Sequence, residues 1–153
     1  MKVILGADHA ATELKEAIKV ALFEEGYVLE DVSPSMPEMS DDYPDYAFSV
    51  AERVAQDPEG TRGILACDTG IGMDIAANKV EGVRAALAVN EFGARRAREH
   101  NNANVLVFGA ELISRDVAIR AAKVFLETPF SVEERHLRRV GKITKRESGT
   151  REV

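Results

Sequence analysis

Short apolar runs of strand length alternate along this chain with longer stretches whose apolar residues recur three and four apart. That order limits the fold more than any other feature of the sequence. Residues 3–5 read as a buried strand that ends in Gly6, and 10–25 as a helix with Leu14, Ala17, Ile18 and Leu22 on one face. Further strands are expected at 28–32, 63–66, 83–88 and 105–108. Helices are expected at 45–56, 73–79 and 91–99, from Ser114 to near Thr128, and from Val132 onward, fraying after Lys145. Residues 33–43, with prolines, serines and acids, read as a loop. Strand–helix repetition implies parallel pairing with right-handed crossovers. The expectation is an α/β, three-layer α/β/α sandwich with a five-stranded parallel sheet, Rossmann-like. The 153 residues fit one domain, with 144–153 as a charged tail.

In such a sheet, ligands sit beyond the carboxyl ends of the strands. That rule selects the turns after the first, third and fifth strands. Cys67-Asp68-Thr69-Gly70-Ile71-Gly72 follows the third and opens a helix. Glycines let the backbone turn sharply, and a helix start offers free N–H groups to an anion or a developing oxyanion. A thiol at its rim is placed to act as a base with a lowered pKa. The same turn also fits a plain strand–helix connection around an inert cysteine. Asp8-His9 ends the first strand, where Asp8 orients His9, grips a hydroxyl or caps the next helix. His100-Asn101 closes an arginine-rich helix, and histidine is the side chain suited to proton shuttling near neutral pH. Arg135 and Arg139 lie four apart on one helical face, a spacing that suits a phosphate dianion or a solvated basic face.

The net charge of −6 argues against nucleic-acid binding. The lone cysteine cannot form an internal disulfide, which suits a reducing compartment, and the three histidines lack metal-site spacing. No metal and no cofactor are expected. The apolar N-terminal run is too short for a signal or a membrane span, so the expected setting is soluble and cytoplasmic.

Together these segments resemble the ribose-5-phosphate isomerase B and galactose-6-phosphate isomerase (RpiB/LacA/LacB) family. The matches are Gly6-Ala7-Asp8-His9, Asp42-Tyr43-Pro44, Cys67-x-Thr69-Gly70-Ile71-Gly72, Ile75-Ala76-Ala77-Asn78-Lys79, Gly82-Val83-Arg84-Ala85-Ala86, His100-Asn101-Asn102-Ala103-Asn104-Val105 and Arg135-His136-x-x-Arg139, in the family's order. The resemblance implies a cofactor-free aldose–ketose isomerase of a sugar phosphate. Cys67 would move the proton. Thr69 and the amides of Gly70, Ile71 and Gly72 would hold the enediolate oxygen. His100 would assist ring opening, with Asp8 nearby on the sugar hydroxyls. His9, Arg135 and Arg139 would bind phosphate, and Tyr43, Asp68 and Asn101 would line the pocket. It further implies a homodimer, open to pairing into a tetramer, in which His100 and Asn101 come from the partner subunit.

Three acids depart from the family pattern. Asp68 stands at a usual glycine and is expected to raise the thiol pKa. Asp74 stands at a common serine. Glu111 stands where many members carry a phosphate-contacting arginine, leaving Arg138 or Arg115 as replacements. These changes are compatible with another sugar phosphate, altered phosphate geometry or a slower rate. A non-catalytic sugar-phosphate-binding module fits the same fold. A nucleotide-binding domain, with Glu30 or Asp31 on a ribose, lacks its glycine fingerprint.

Overall fold

In the computed structural model, which describes residues 1–34, 36 and 39–149, five strands form one parallel sheet. They are β1 (Lys2–Ala7), β2 (Val28–Asp31), β3 (Thr61–Cys67), β4 (Ala85–Leu87) and β5 (Val105–Gly109), in the spatial order β2-β1-β3-β5-β4. The helices are α1 (Thr12–Glu24), α2 (Tyr43–Gln56), α3 (Ile71–Ala77), α4 (Glu91–Asn101), α5 (Arg115–Glu127) and α6 (Glu134–Glu147). One 3₁₀ turn, His9–Ala11, precedes α1.

Side chains alternate across the sheet, as strand geometry requires. Leu5, Ile64, Leu106 and Phe108 face α1, α4 and α5, where Ile18, Ala94, Ala118 and Phe125 complete one core. Ile4, Leu65, Val105 and Val107 face α2 and α3, against Val50, Val54, Met73 and Ala77. The result is the expected three-layer sandwich. The sixth helix packs on α4.

The boundaries differ from expectation for local reasons. The second helix starts at Tyr43 rather than 45, because Pro44 fits the first turn, where its missing N–H is no loss. Only Ala85–Leu87 of the expected 83–88 pair as β4, which lies at the sheet edge. The third helix starts at Ile71, two residues early, because Gly70 takes the left-handed cap conformation at φ 75°. The fourth helix runs on to Asn101, and Asn102 ends it at φ 49°. The sixth begins at Glu134 and continues to Glu147, past the expected fraying point. Residues 150–153 of the expected tail lie outside the described residues.

The chain order creates one reversal that matters. From β1 it moves outward to β2, then returns to place β3 on the other side of β1. The crevice between the carboxyl ends of β1 and β3 is therefore the switch point where ligands bind in such sheets. Asp8-His9 and Cys67 flank it.

Candidate active site

Cys67 is the last residue of β3, and its side chain is 5% exposed on the α2–α3 side of the sheet. The Gly70 N–H donates to its Sγ at 3.2 Å. Burial pushes the thiol pKa up, the amides of Met73, Gly70 and Thr69 pull it back, and the charge of Asp8 adds to the rise. Two expectations are corrected here. The resting thiol is not activated by a lowered pKa, because desolvation outweighs the amides. The carboxylate that opposes ionisation is Asp8, while Asp68 is exposed at the surface.

The amide cradle also divides its work differently from expectation. The Gly70 amide is turned to sulfur, and the Gly70 carbonyl accepts from the Asp74 amide at 3.0 Å. The first-turn amides of Ile71 and Gly72 have no backbone partner among the described residues, so they are the donors left for an oxyanion. Gly70 has no room for a side chain, since a Cβ would lie 2.9 Å from the Phe108 carbonyl carbon. Gly72 lies beneath Tyr43, whose ring Cζ would be 2.5 Å from a Cβ there. Thr69, between the two groups, is half-buried.

Across the crevice, Asp8 is buried and its Oδ1 accepts from the Ala10 N–H at 3.1 Å, so the capping alternative is realised. Burial raises its pKa, against the His9 charge and the Ala10 amide. His9 Nδ1 meets Asp41 Oδ1 at 2.5 Å, and this hydrogen bond raises the imidazole pKa. Burial pushes Asp41 up, but bonds from His9 and Tyr46 hold its carboxyl below the usual range. With Nδ1 committed, Nε2 is the remaining donor of the His9 ring. Ser33 anchors the start of the loop that leads to Asp41. Its Oγ accepts from the Ala7 amide at 3.1 Å and from the buried Lys15 Nζ at 3.1 Å. The Lys15 ammonium is matched by Asp31 at 2.8 Å, which makes its burial tolerable.

His100, Asn101, Arg135 and Arg139 do not join this group within one chain. The fourth helix starts beyond the carboxyl end of β4 and carries its last residues back to the amino ends of β4 and β5, eleven residues or about 16 Å away. There His100 stacks on the buried His136, with ring centroids 4.2 Å apart. Burial lowers the His136 pKa, and the charges of His100 and Arg135 lower it further. Arg96 Nη1 lies 2.8 Å from His100 Nε2. A guanidinium only donates, so Nε2 accepts and Nδ1 carries the proton of the neutral ring. Arg98 Nη1 donates to Asn102 Oδ1 at 2.8 Å and to the Ala103 carbonyl at 2.6 Å, locking the helix end just after Asn101. Arg135 and Arg139 are both exposed, and Arg135 pairs with Glu133 at 2.8 Å.

Sequence reasoning missed Asp41, Arg96 and the role of His136 as a stacking partner. Nothing in their spacing marks them, since each acts through a fold-dependent contact. Asp74, noted as a departure, holds a carboxyl that burial raises, and its Oδ1 is buried with no hydrogen-bond partner. No group of three metal-ligating side chains is found among the described residues.

A thiol and free amides at the switch point of a parallel α/β sheet, beside a carboxyl–imidazole pair, are the kind of groups an enzyme uses to move protons on a small molecule. The family model described as Ribose/Galactose Isomerase matches residues 3–143, and the chain belongs to that family. Ribose-5-phosphate isomerase B of Mycobacterium leprae is 41% identical over 140 residues, covering 92% of this chain and 86% of that protein. The crystal structure of ribose-5-phosphate isomerase B from Mycoplasma genitalium with bound ribulose-5-phosphate superposes at TM-score 0.92 and 39% identity, covering 96% of each chain. Ribose-5-phosphate isomerase B of Clostridium thermocellum gives TM-score 0.91 at 40% identity, covering 99% of this chain and 100% of that one.

Proposed function

We propose that this chain interconverts ribose 5-phosphate and ribulose 5-phosphate, with Cys67 as the base and no cofactor. The observation that carries the reading is the Cys67 sulfur held against backbone amides at the crevice that Asp8 and His9 share. In the open-chain aldose, the C2 proton is weakly acidic and its loss leaves charge on oxygen. The Cys67 thiolate takes that proton, giving an enediolate, and returns it to C1 as the hydroxyl proton on O2 passes to O1. Thr69 and the amides of Ile71 and Gly72 hold the oxygen charge; one such donor is typically worth about 3 kcal/mol. A raised thiol pKa makes the thiolate scarce at rest but a stronger base once formed.

Ring opening is assigned to His100, whose Nδ1–H is the available donor, with Asp8 on the sugar hydroxyls. His9, Arg135 and Arg139 bind phosphate, and Tyr43, Asp68 and Asn101 line the pocket. Because one chain holds these groups on opposite edges, the working unit is a homodimer in which His100 and Asn101 reach the partner's Cys67. Exposed Ile71 and Ile75, on the helix that the Cys67 turn opens, support a docking surface there. The acidic departures at Asp68, Asp74 and Glu111 make a different pentose, tetrose or hexose phosphate the second reading of the substrate.

The test is Cys67→Ala, assayed for turnover and, by calorimetry, for ribose 5-phosphate binding. Loss of turnover with binding retained is expected. Turnover near the parent's would end the assignment of Cys67. A parent that binds the sugar without converting it would make the protein a sensor.

A further inference from the structure

A pocket of about 390 Å³ opens at the carboxyl edge of β1 and β5. Its walls include His9, Ala10, Glu13, Ala110 and Arg115. It abuts the reacting turn directly, because the Ala110 amide donates to the Cys67 carbonyl at 2.9 Å. Two cationic groups face it. One is His9, whose ring is pinned through Nδ1 by Asp41 and keeps Nε2 as a donor. The other is Arg115, the first residue of α5, which is exposed and has no ion-pair partner within 4.0 Å among the described residues. An unpaired guanidinium beside a pinned imidazole is a fork and a point donor converging on one space, which is the arrangement a phosphate dianion selects.

We infer that Arg115 is the phosphate-binding arginine supplied by this chain, and that the substrate's phosphate lies in the His9–Arg115 pocket with its sugar chain directed toward Cys67. The inference rests on the sugar-phosphate reading above and names a residue for it. The sequence leaves Arg138 and Arg115 open as replacements for an arginine at position 111. The pocket selects Arg115, while Arg138 lies on α6 with Glu134 at 3.9 Å. Glu13 is the one acid named on the wall. Single negative charges bind less well there than dianions, so the pocket favours phosphate esters over sugar acids.

The experiment compares the parent with Arg115→Gln, Arg115→Lys and the surface control Arg120→Gln, measuring kcat and KM for ribose 5-phosphate and direct binding of inorganic phosphate. Arg115→Gln is expected to raise KM roughly 10- to 100-fold, the range of a lost charge-assisted hydrogen bond, with kcat changed far less. It should weaken inorganic phosphate by a similar factor. Arg115→Lys should recover part of both, and Arg120→Gln should match the parent. An unchanged KM and phosphate affinity in Arg115→Gln overturn the inference, as does a loss confined to kcat. If the parent binds inorganic phosphate without converting ribose 5-phosphate, and Arg115→Gln abolishes that binding, the pocket assignment stands while the reaction assignment fails.

Discussion

Replacing Gly70 with alanine tests the geometry of the Cys67 turn at its tightest point. Gly70 sits at φ 75° as the cap of α3, and its amide donates to the Cys67 sulfur. A Cβ there would meet Leu87 Cδ1 at 2.5 Å, the Phe108 carbonyl carbon at 2.9 Å and the Gly109 nitrogen at 3.0 Å. The Leu87 methyl can rotate away, but the β5 backbone is fixed by the sheet. The left-handed conformation costs an L-residue about 1–2 kcal/mol. Crowding against backbone adds about 1–3 kcal/mol. The sum is about 2–5 kcal/mol, which for a domain of this size lowers Tm by roughly 10 °C. Gly82 supplies the control. It has nearly the same φ, 82°, with nothing within 4 Å of a Cβ, so Gly82→Ala isolates the conformational cost. Thermal unfolding by circular dichroism measures both, and iodoacetamide labelling reads the thiol in the same samples. Gly70→Ala should unfold well below Gly82→Ala and label faster, because its shifted amide no longer engages sulfur. Equal Tm values for the two variants would refute the close approach of Gly70 to β5.

Two further predictions bear on the two edges of the sheet. The His9–Asp41 pair has a definite pH window. His9 is raised, so its stabilisation is complete below its unfolded value of 6.5 and is lost as pH climbs through the folded value. Asp41 is lowered, so its share is present above 3.8 and is lost as pH falls through its folded value. Phosphate affinity of the parent should therefore fall on the alkaline side at higher pH than in Asp41→Asn, measured by calorimetry from pH 5 to 9; coincident profiles would refute the pairing. The proposed shared site predicts complementation: mixing inactive Cys67→Ala with inactive His100→Ala and refolding them together should restore about a quarter of parental activity, because random pairing of a twofold dimer leaves that share of sites intact. No recovery in a verified mixed dimer would place both residues in one chain's site.

The sheet was legible because its signals are local. Apolar runs such as Ile64, Leu65 and Ala66 and the spacing of Val50 and Val54 on α2 leave little choice of period, and strand–helix order then sets parallel pairing. The turn at Cys67 was legible for the same reason, since a strand, a glycine and a helix start follow one another in the chain. The sulfur's electrostatics were not. The thiol pKa depends on how deeply Cys67 is buried and on Asp8, which approaches from another strand, and sequence neighbourhood pointed to Asp68 instead. Asp41 was hidden in an acidic loop where every carboxylate looks alike until His9 selects one. Arg115 was named beside Arg138, and only the pocket it shares with His9 separates the two.

What the structure adds is a separation of tasks that the linear order conceals. The groups proposed to move the proton and grip the phosphate, Cys67 and His9, stand at the carboxyl ends of neighbouring strands and need only the sheet to hold them. The group assigned to open the sugar ring, His100, rides at the far end of a helix and depends on Arg96 and His136 for its orientation. A rigid α4 cannot close that gap within one chain, because bending it would break the packing of Ala94 and Ala97 against the core. On the proposed shared site, association of two copies is a condition of chemistry rather than of stability, and dilution below the dimerisation constant should remove ring opening while leaving the Cys67 turn folded. A substrate already in open-chain form would escape that dependence, since it asks nothing of His100.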